Sequence, residues 1–245
     1  MMGKLKGSFF YFSFLILTCC SCAPQVPYRP LTPPFKISPR SPYTPVNNKP
    51  PLKLIEKEDK PLIVIDPGHG GEDFGTQSNS KPKYLEKYLN LATAQILGRF
   101  LNQMGCATVF TRTADVFIPL DKRAEFANNK KPYLFVSVHF NSAPSPAAEG
   151  IEVFYYRSEE DKERSAQSKV LAKTILDNIT LSSQAKSRGV KHGNFAVIRL
   201  TNMPAVLVEG GFLTNENEMQ RIKDPAYLKK LAWGIALGIQ TYIKK

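Results

Sequence analysis

Residues 62–71 read LIVIDPGHGG and predict a buried strand that ends in a glycine-rich turn. A short apolar run bounded by turn residues is typical of a strand inside a sheet. His69 lies in the turn, directly after this run. In open α/β sheets the carboxyl ends of the strands line the ligand crevice. We therefore interpret His69 as a candidate functional residue, the alternative being a hydrogen-bonded structural histidine.

Two further apolar runs also end on residues that can carry chemistry. One run ends on His139 and another on Glu209, and Glu86 opens a helical pattern between the first two runs. Two imidazoles and one carboxylate that leave a fourth position open are the ligands of catalytic zinc sites. We therefore predict that His69, Glu86 and His139 bind Zn²⁺. The alternative for Glu86 is a solvated helix face.

Glu209 is the candidate general base. It follows four apolar residues and precedes Gly210 and Gly211, where the backbone can turn sharply. A carboxylate in such a place is costly to bury unless it has a partner or a task. The alternative is a helix N-cap or a salt-bridge partner. Because three protein ligands already leave only one open position on zinc, we expect Glu209 to act on protons and not on the metal.

Three other residues could contact the predicted ligands or the substrate. Asp66 and Asn141 lie next to or near the predicted ligands, so they are candidates for orienting those ligands or contacting substrate. His192 lies in a basic stretch with no apolar run before it. We interpret His192 as a loop residue, the alternative being a residue that contacts substrate.

Alternating patterns along the chain predict the fold class. Apolar runs of strand length alternate with amphipathic helical stretches, which is typical of an α/β domain. We predict one domain with a twisted, mixed but mainly parallel sheet of about six strands and helices on both faces. The predicted strands are 62–66, 107–111, 133–139, 151–155, 195–198 and 205–209, and the predicted helices follow residues 85–100, 120–128, 166–175 and 225–239.

Four motifs together resemble one known family. The motifs are Asp66–Gly71, Glu86-Lys87 with Asn90, Ser137–Asn141 and Val208–Asn215. With them, the chain from about residue 61 to 245 resembles the zinc-dependent N-acetylmuramoyl-L-alanine amidases. Similarity to that family extends to Arg188–Lys191, Phe195 and Asn202–Pro204.

The resemblance implies a function and a set of roles. It implies His69, Glu86 and His139 as zinc ligands, Glu209 as the catalytic glutamate, and cleavage of the amide between the muramic lactyl group and L-alanine. Members that wait for a partner protein carry a long helical insertion after the strand that follows Ser-x-His-x-Asn. Here the gap at 157–162 is short, so we do not expect the chain to occlude its own site. The sequence identifies no activator.

The first 60 residues predict export and tethering. Residues 1–22 combine a charged start, a short apolar core and a cysteine cluster, as in a lipoprotein signal. We expect Cys22, or else Cys20, to carry lipid; the alternative is an ordinary cleaved signal peptide. Residues 23–60 form a linker in which 23–51 hold ten of the nineteen prolines. Such a stretch favours extended polyproline II and serves as a spacer. Residues 61–245 would be the catalytic domain.

Charge and location limit the partners. The formal net charge is +12, which attracts polyanions, although solvated lysines alone also explain it. An exported chain would not meet nucleic acid, so anionic cell wall or lipid is the expected polyanion. We predict a periplasmic enzyme of the bacterial cell envelope, bound to the membrane by its lipid and acting on peptidoglycan or muropeptides. Two rivals remain: a zinc carboxypeptidase on another peptidoglycan amide, and a non-catalytic cell-wall-binding lipoprotein.

Overall fold

Apolar, β-branched runs form the central sheet of the computed structural model, which describes residues 60–244. The leader, Cys20, Cys22 and nearly all of the predicted linker lie outside the described residues. Six strands form the sheet in the order β2-β1-β3-β6-β4-β5. The strands are β1 (Leu62–Pro67), β2 (Ala107–Phe110), β3 (Leu134–Asn141), β4 (Ile151–Tyr155), β5 (Ser187–His192) and β6 (Ala205–Phe212).

Strand directions confirm the predicted mixed, mainly parallel sheet. All neighbouring pairs are parallel except β4 and β6, which run antiparallel. β1, β3 and β6 are adjacent and parallel, so their carboxyl ends meet at one edge of the sheet. Since His69, His139 and Glu209 lie at or just after the ends of these strands, they come together at this edge of the sheet.

Helices cover both faces of the sheet, as predicted. The larger apolar core lies between the sheet and α1, α3, α5 and α6, and the smaller one packs residues of α2 and α4 against the opposite face. The helices are α1 (Glu86–Gln103), α2 (Leu120–Lys130), α3 (Lys162–Ser183), α4 (Ala196–Arg199), α5 (Glu216–Ile222) and α6 (Pro225–Ile243). Within the described part of the chain, no helix has both the length and the apolar character needed to cross a membrane.

The fifth strand is not where the sequence pattern placed it. Residues 196–199 form the short helix α4, and the strand is Ser187–His192. A short apolar run does not distinguish a strand from a buried helical turn. β5 lies at the edge of the sheet and is half-exposed or exposed along its length, so it lacks the apolar run that marks a central strand. His192 consequently ends a strand and is not a loop residue.

Close contact between α3 and α6 depends on two glycines. A Cβ added at Gly238 would lie 2.4 Å from the Cα of Ile175, and one at Gly234 would lie 2.5 Å from the Cα of Ile179. The obstructing atoms belong to the backbone of α3, so they cannot move aside as a flexible side chain could. These glycines let the two helices approach over the larger core.

Gly238→Ala should therefore destabilise the domain. Alanine gains about 1 kcal/mol of helix propensity over glycine, but forcing α6 away from α3 costs more. We expect the free energy of unfolding to fall by about 1–3 kcal/mol, measured by urea unfolding followed by circular dichroism. Lys230→Ala, at an exposed position of the same helix, is the control. An unchanged or higher unfolding midpoint for Gly238→Ala would contradict the close-contact explanation.

Candidate active site

The turn after β1 brings His69 against His139. The two rings have centroids 5.0 Å apart in an edge-to-face arrangement. His69 has φ 60°, in the left-handed region that costs energy for a side-chain-bearing residue. Gly68 is required because a Cβ there would lie 2.2 Å from Nε2 of His139. The glycine-rich motif thus serves to place one histidine over another.

Glu86 joins the two histidines. Its Oε2 lies 3.1 Å from Nε2 of His69, and its Oε1 lies 3.0 Å from Nδ1 of His139. One ligand atom from each of the three residues lies within 4.8 Å of the others. Burial raises the pKa of Glu86, but hydrogen bonds with His139 and His69 outweigh it and hold that pKa well below its usual range. The carboxylate is therefore ionised between two imidazoles.

Backbone and amide donors fix the orientation of the Glu86 carboxylate. Thr76 N–H donates to Oε2 at 2.8 Å, and Phe140 N–H and Asn90 Nδ2 donate to Oε1 at 3.2 and 3.1 Å. Gly75 completes the close packing, because a Cβ there would lie 2.5 Å from Oε2 of Glu86. The donor set of two nitrogens and a carboxylate, held this closely, fits a zinc ion.

Asp73 is a site residue that sequence reasoning missed. Its Oδ2 lies 2.8 Å from Nδ1 of His69, and its Oδ1 accepts a hydrogen bond from Gly75 N–H at 3.1 Å. Burial lowers the pKa of His69, but hydrogen bonds with Glu86 and Asp73 outweigh it and raise that pKa. A carboxylate on the far ring nitrogen is the usual device that orients a metal-binding histidine. In the sequence, Asp73 could have been identified from its position four residues after His69.

Glu209 lies beside His139 on the neighbouring strand. The two residues are in register between β3 and β6, and both line a cavity of about 370 Å³ together with His69 and Glu86. Glu209 is buried, and its Oε2 has no hydrogen-bond partner among residues 60–244. Burial, with the negative charges of Glu86 and Glu152, raises the pKa of Glu209 well above its usual value. This carboxyl is the group at the site best suited to exchange a proton.

Asp66 contacts the frame of the site and not the ligand rings. Its carboxylate accepts hydrogen bonds from Arg123 Nη1 at 2.9 Å, Ser137 Oγ at 2.7 Å and Thr111 Oγ1 at 2.5 Å. Although burial raises the pKa of Asp66, the charge of Arg123 and the hydrogen bonds from Thr111, Ser137 and Arg123 together outweigh it and lower that pKa. Arg123 also donates to the carbonyl of His69 at 2.8 Å. Asp66 therefore acts on the turn through Arg123.

Two buried arginines that the motifs did not indicate hold the turn. Arg123 donates to the carbonyl of Pro67 at 2.7 Å, and Arg112 donates to Pro67 at 2.9 Å and to Gly68 at 2.8 Å. These charge-assisted bonds satisfy carbonyls that the sharp turn leaves without strand partners. No sequence pattern pointed to them, because Arg112 follows β2 and Arg123 lies on α2, both distant from the turn in the chain.

Asn141 contacts a second buried carboxylate. Asn141 Nδ2 donates to Oε1 of Glu152 at 2.7 Å, and Oε2 of Glu152 accepts from Arg188 Nε at 2.9 Å and from Lys191 Nζ. Hydrogen bonds with Lys191 and Arg188 outweigh burial, so the pKa of Glu152 is lowered. Asn141 also lines the cavity. We call Glu152, Arg188 and Lys191 the β4–β5 charge cluster.

His192 takes no part in the cavity lining. It ends β5, and its Nδ1 accepts a hydrogen bond from Arg157 N–H at 3.1 Å. Residues 156–161 join β4 directly to α3, so the short gap noted in the sequence is a simple loop.

The fold and the histidine–glutamate–histidine cluster define an α/β domain with a candidate metal site, and comparison with known proteins identifies its family. Residues 63–241 match the family model described as N-acetylmuramoyl-L-alanine amidase. The chain therefore belongs to the N-acetylmuramoyl-L-alanine amidase family. As expected from the motifs, it is an amidase that acts on the peptidoglycan of the cell wall.

Individual relatives agree with this assignment. A crystal structure of the N-acetylmuramoyl-L-alanine amidase from Clostridium difficile 630 is 38% identical, with a TM-score of 0.72, and the match covers 76% of this chain and 98% of that one. The uncharacterized protein YqiI of Bacillus subtilis is 35% identical over 193 residues, 79% of this chain and 90% of that protein. The probable cell wall amidase LytH of Staphylococcus aureus is 36% identical over 190 residues, 76% of this chain and 61% of LytH.

Proposed function

We propose that this amidase cleaves the amide between the lactyl group of N-acetylmuramic acid and L-alanine with zinc held by His69, Glu86 and His139. The observation that carries the proposal is the convergence of these donors within 4.8 Å, in a cavity that also holds Glu209. Zinc bound there would polarise the amide carbonyl and make a water more acidic. The chain's own residues supply the orientation and the proton transfers.

The ligands are arranged before any metal arrives. Asp73 holds the far nitrogen of the His69 ring, and three donors hold the carboxylate of Glu86. Arg123 and Arg112 hold the turn that carries His69. Because these side chains are already fixed in the fold, binding a metal ion does not require them to be ordered first. The affinity for the metal is higher as a result.

Glu209 supplies the proton transfers. Water adds to the amide carbon, and Glu209 takes the proton that the water gives up. As the carbon–nitrogen bond breaks, the same carboxyl returns the proton to the departing amine of L-alanine. A buried carboxyl with a raised pKa binds a proton more readily than an exposed one, which favours the first step, and the resulting neutral acid can donate that proton in the second. The unpartnered Oε2 of Glu209 is the atom free to make these bonds.

The cavity walls suit a substrate that is partly apolar around the reacting bond. Leu120, Phe195, Val197 and Leu207 line the cavity beside the polar groups. These side chains can pack against methyl groups such as those of lactyl and alanyl units while the polar groups engage the amide.

We also propose where the enzyme acts. The family and the cell wall amidase among its relatives support action in the cell envelope. The leader pattern in residues 1–22 supports export with lipid on Cys22 or Cys20, and the proline-rich linker supports a periplasmic tether. If fully extended, the proline-rich residues 23–51 alone would reach on the order of 90 Å from the membrane at about 3.1 Å per residue.

His69→Ala and His139→Ala should each abolish zinc binding and activity, because each removes one of the three ligands. Zinc content of the purified protein is measured by elemental analysis, beside turnover of a muropeptide. The matched control is His192→Ala, which removes the third histidine of the chain and should retain both. Stoichiometric zinc in either ligand variant would show that the ligand assignment is wrong.

Glu209→Gln should show whether Glu209 acts as a general base or as a metal ligand. Glutamine keeps the shape but cannot accept the proton, so zinc and muropeptide binding should persist while kcat falls by roughly 10²–10⁴. Glu216→Gln, at an exposed position in the first turn of α5, is the control. Loss of zinc would recast Glu209 as a ligand, and near-normal turnover would place the base elsewhere.

Lipidation should depend on one cysteine of the leader cluster. Labelled fatty acid should enter the wild-type chain expressed in bacteria and be lost when Cys22, or else Cys20, is replaced by serine. The charged start and short apolar core before these cysteines are the basis. Cys106→Ser, in the catalytic domain, should not change the labelling. A wild-type product that carries no label would refute the anchor.

A further inference from the structure

A row of ionisable residues crosses the sheet next to the candidate metal ligands. His139 is in register with Glu209 on β6, and Glu209 is in register with Glu152 on β4. Residues paired in this way in neighbouring strands project from the same face of the sheet. Arg188 and Lys191 of β5 reach back to Glu152. The row therefore leads from the metal ligands to the β4–β5 charge cluster.

The position of Glu209 sets the direction of the substrate. A group that protonates the departing amine must lie within hydrogen-bond reach of that nitrogen. Glu209 is on the β6 side of the ligand cluster, so the amine and the peptide attached to it lie towards β6 and β4. The lactyl and sugar part then lies on the opposite side of the ligands.

A second cavity matches this opposite side. It has about 300 Å³ and is lined by Asp73, Phe117 and Arg123, among others. His69, His139, Leu120 and Val197 line both this cavity and the larger one. The two cavities are therefore arms of one groove that meet at the metal ligands, with Glu209 in one arm only.

The β4–β5 charge cluster exposes a surplus of positive charge. The Glu152 side chain is 6% exposed, whereas those of Arg188 and Lys191 are 34% and 38% exposed. Two cations thus face one covered carboxylate. An additional anion that arrives from solvent meets the cations and not Glu152.

Aromatic contacts connect the cluster to the groove. Phe195 lines the arm that contains Glu209 and stacks edge-to-face on Phe154 at 5.0 Å between centroids. The ammonium of Lys191 lies 6.0 Å from the centre of the Phe154 ring. Phe195 and Phe154 therefore link the arm that contains Glu209 to Lys191 of the cluster.

Distances along the sheet indicate which residue of the stem peptide lies at the β4–β5 charge cluster. The cationic groups of β5 contact the carboxylate of Glu152. Glu152 is one strand from Glu209, and neighbouring strands are about 4.8 Å apart. An extended peptide advances about 3.3–3.6 Å per residue. A group one residue beyond L-alanine therefore falls at the cluster.

On the basis of the proposed function, we infer that Arg188 and Lys191 bind a carboxylate on the second residue of the stem peptide and make the enzyme favour acidic over amidated stems. The contact forms a charge-assisted pair between the peptide and a guanidinium or ammonium. These two residues determine specificity and take no part in the proton transfers.

Two substrates that differ in one group test this inference. The zinc-loaded enzyme is given N-acetylmuramoyl-L-alanyl-γ-D-glutamyl-L-lysine, with a free α-carboxylate on the second residue, or the corresponding D-isoglutaminyl tripeptide, in which that carboxylate is an amide. The γ-carboxyl group is in a peptide bond in both substrates, so the second residue carries no other carboxylate. We expect the wild-type kcat/KM to be about threefold to tenfold higher for the acid, the range for a partly exposed ion pair. The ratio should shrink as ionic strength rises, because salt screens the pair.

Variants of the cluster separate recognition from structure. K191M and R188Q should each reduce the acid-to-amide ratio, and K191R, which keeps the cation, should preserve it. K173M, on the exposed face of α3 and paired with Asp177, removes the same charge elsewhere and should leave the ratio unchanged. Circular dichroism and zinc content verify that each variant is folded.

The outcomes distinguish a failure of this inference from a failure of the proposed function. Equal turnover of the two substrates by the wild type, or an equal loss on both in K191M and R188Q, overturns the inference and leaves the proposed function intact. No turnover of either substrate by the zinc-loaded wild type overturns both. If K191M does not fold, a K191R ratio that falls to that of R188Q overturns the inference.

Discussion

The carboxylate of Glu86 between two imidazoles is the constraint on which the rest of the site depends. A buried carboxylate is costly unless its oxygens are satisfied, and here each oxygen has a histidine nitrogen and at least one further donor. The surrounding glycines follow from this packing. Gly68 leaves room for the His139 ring, and Gly75 leaves room for the carboxylate itself.

The turn that carries His69 is strained, and buried charge stabilises it. His69 has a left-handed backbone, which persists only where the surroundings fix it. Arg123 provides that restraint by donating to the His69 carbonyl while it pairs with Asp66. A buried ion pair contributes little net stability when both partners are present, but removing one partner is strongly destabilising. The pair thus serves to define one geometry at the end of β1.

Because the sheet contains both parallel and antiparallel strand pairs, the two ends of the groove are lined by different ionisable residues. β1, β3 and β6 run parallel and bring the candidate metal ligands and Glu209 together. β4 runs antiparallel to β6, which places Glu152 beside Glu209 although the two are far apart in sequence. The negative charge of Glu152 contributes to the raised pKa of Glu209. The same strand brings the basic side chains of β5 next to the reactive arm.

Local patterns in the sequence were sufficient to predict the fold class and the three central strands, because a buried strand requires an apolar run and the groups with chemistry follow those runs directly. His69, His139 and Glu209 could be identified from the sequence for that reason. The family was predicted from the resemblance of four motifs. Glu86 stood out by its place at a helix start and by the family motif. The fifth strand was misplaced because an edge strand is half-exposed and carries no apolar run. Asp73, Arg112, Arg123 and the charge cluster required the tertiary structure. Their roles arise from contacts between elements distant in the chain, and no local pattern records which buried charge will meet which carbonyl.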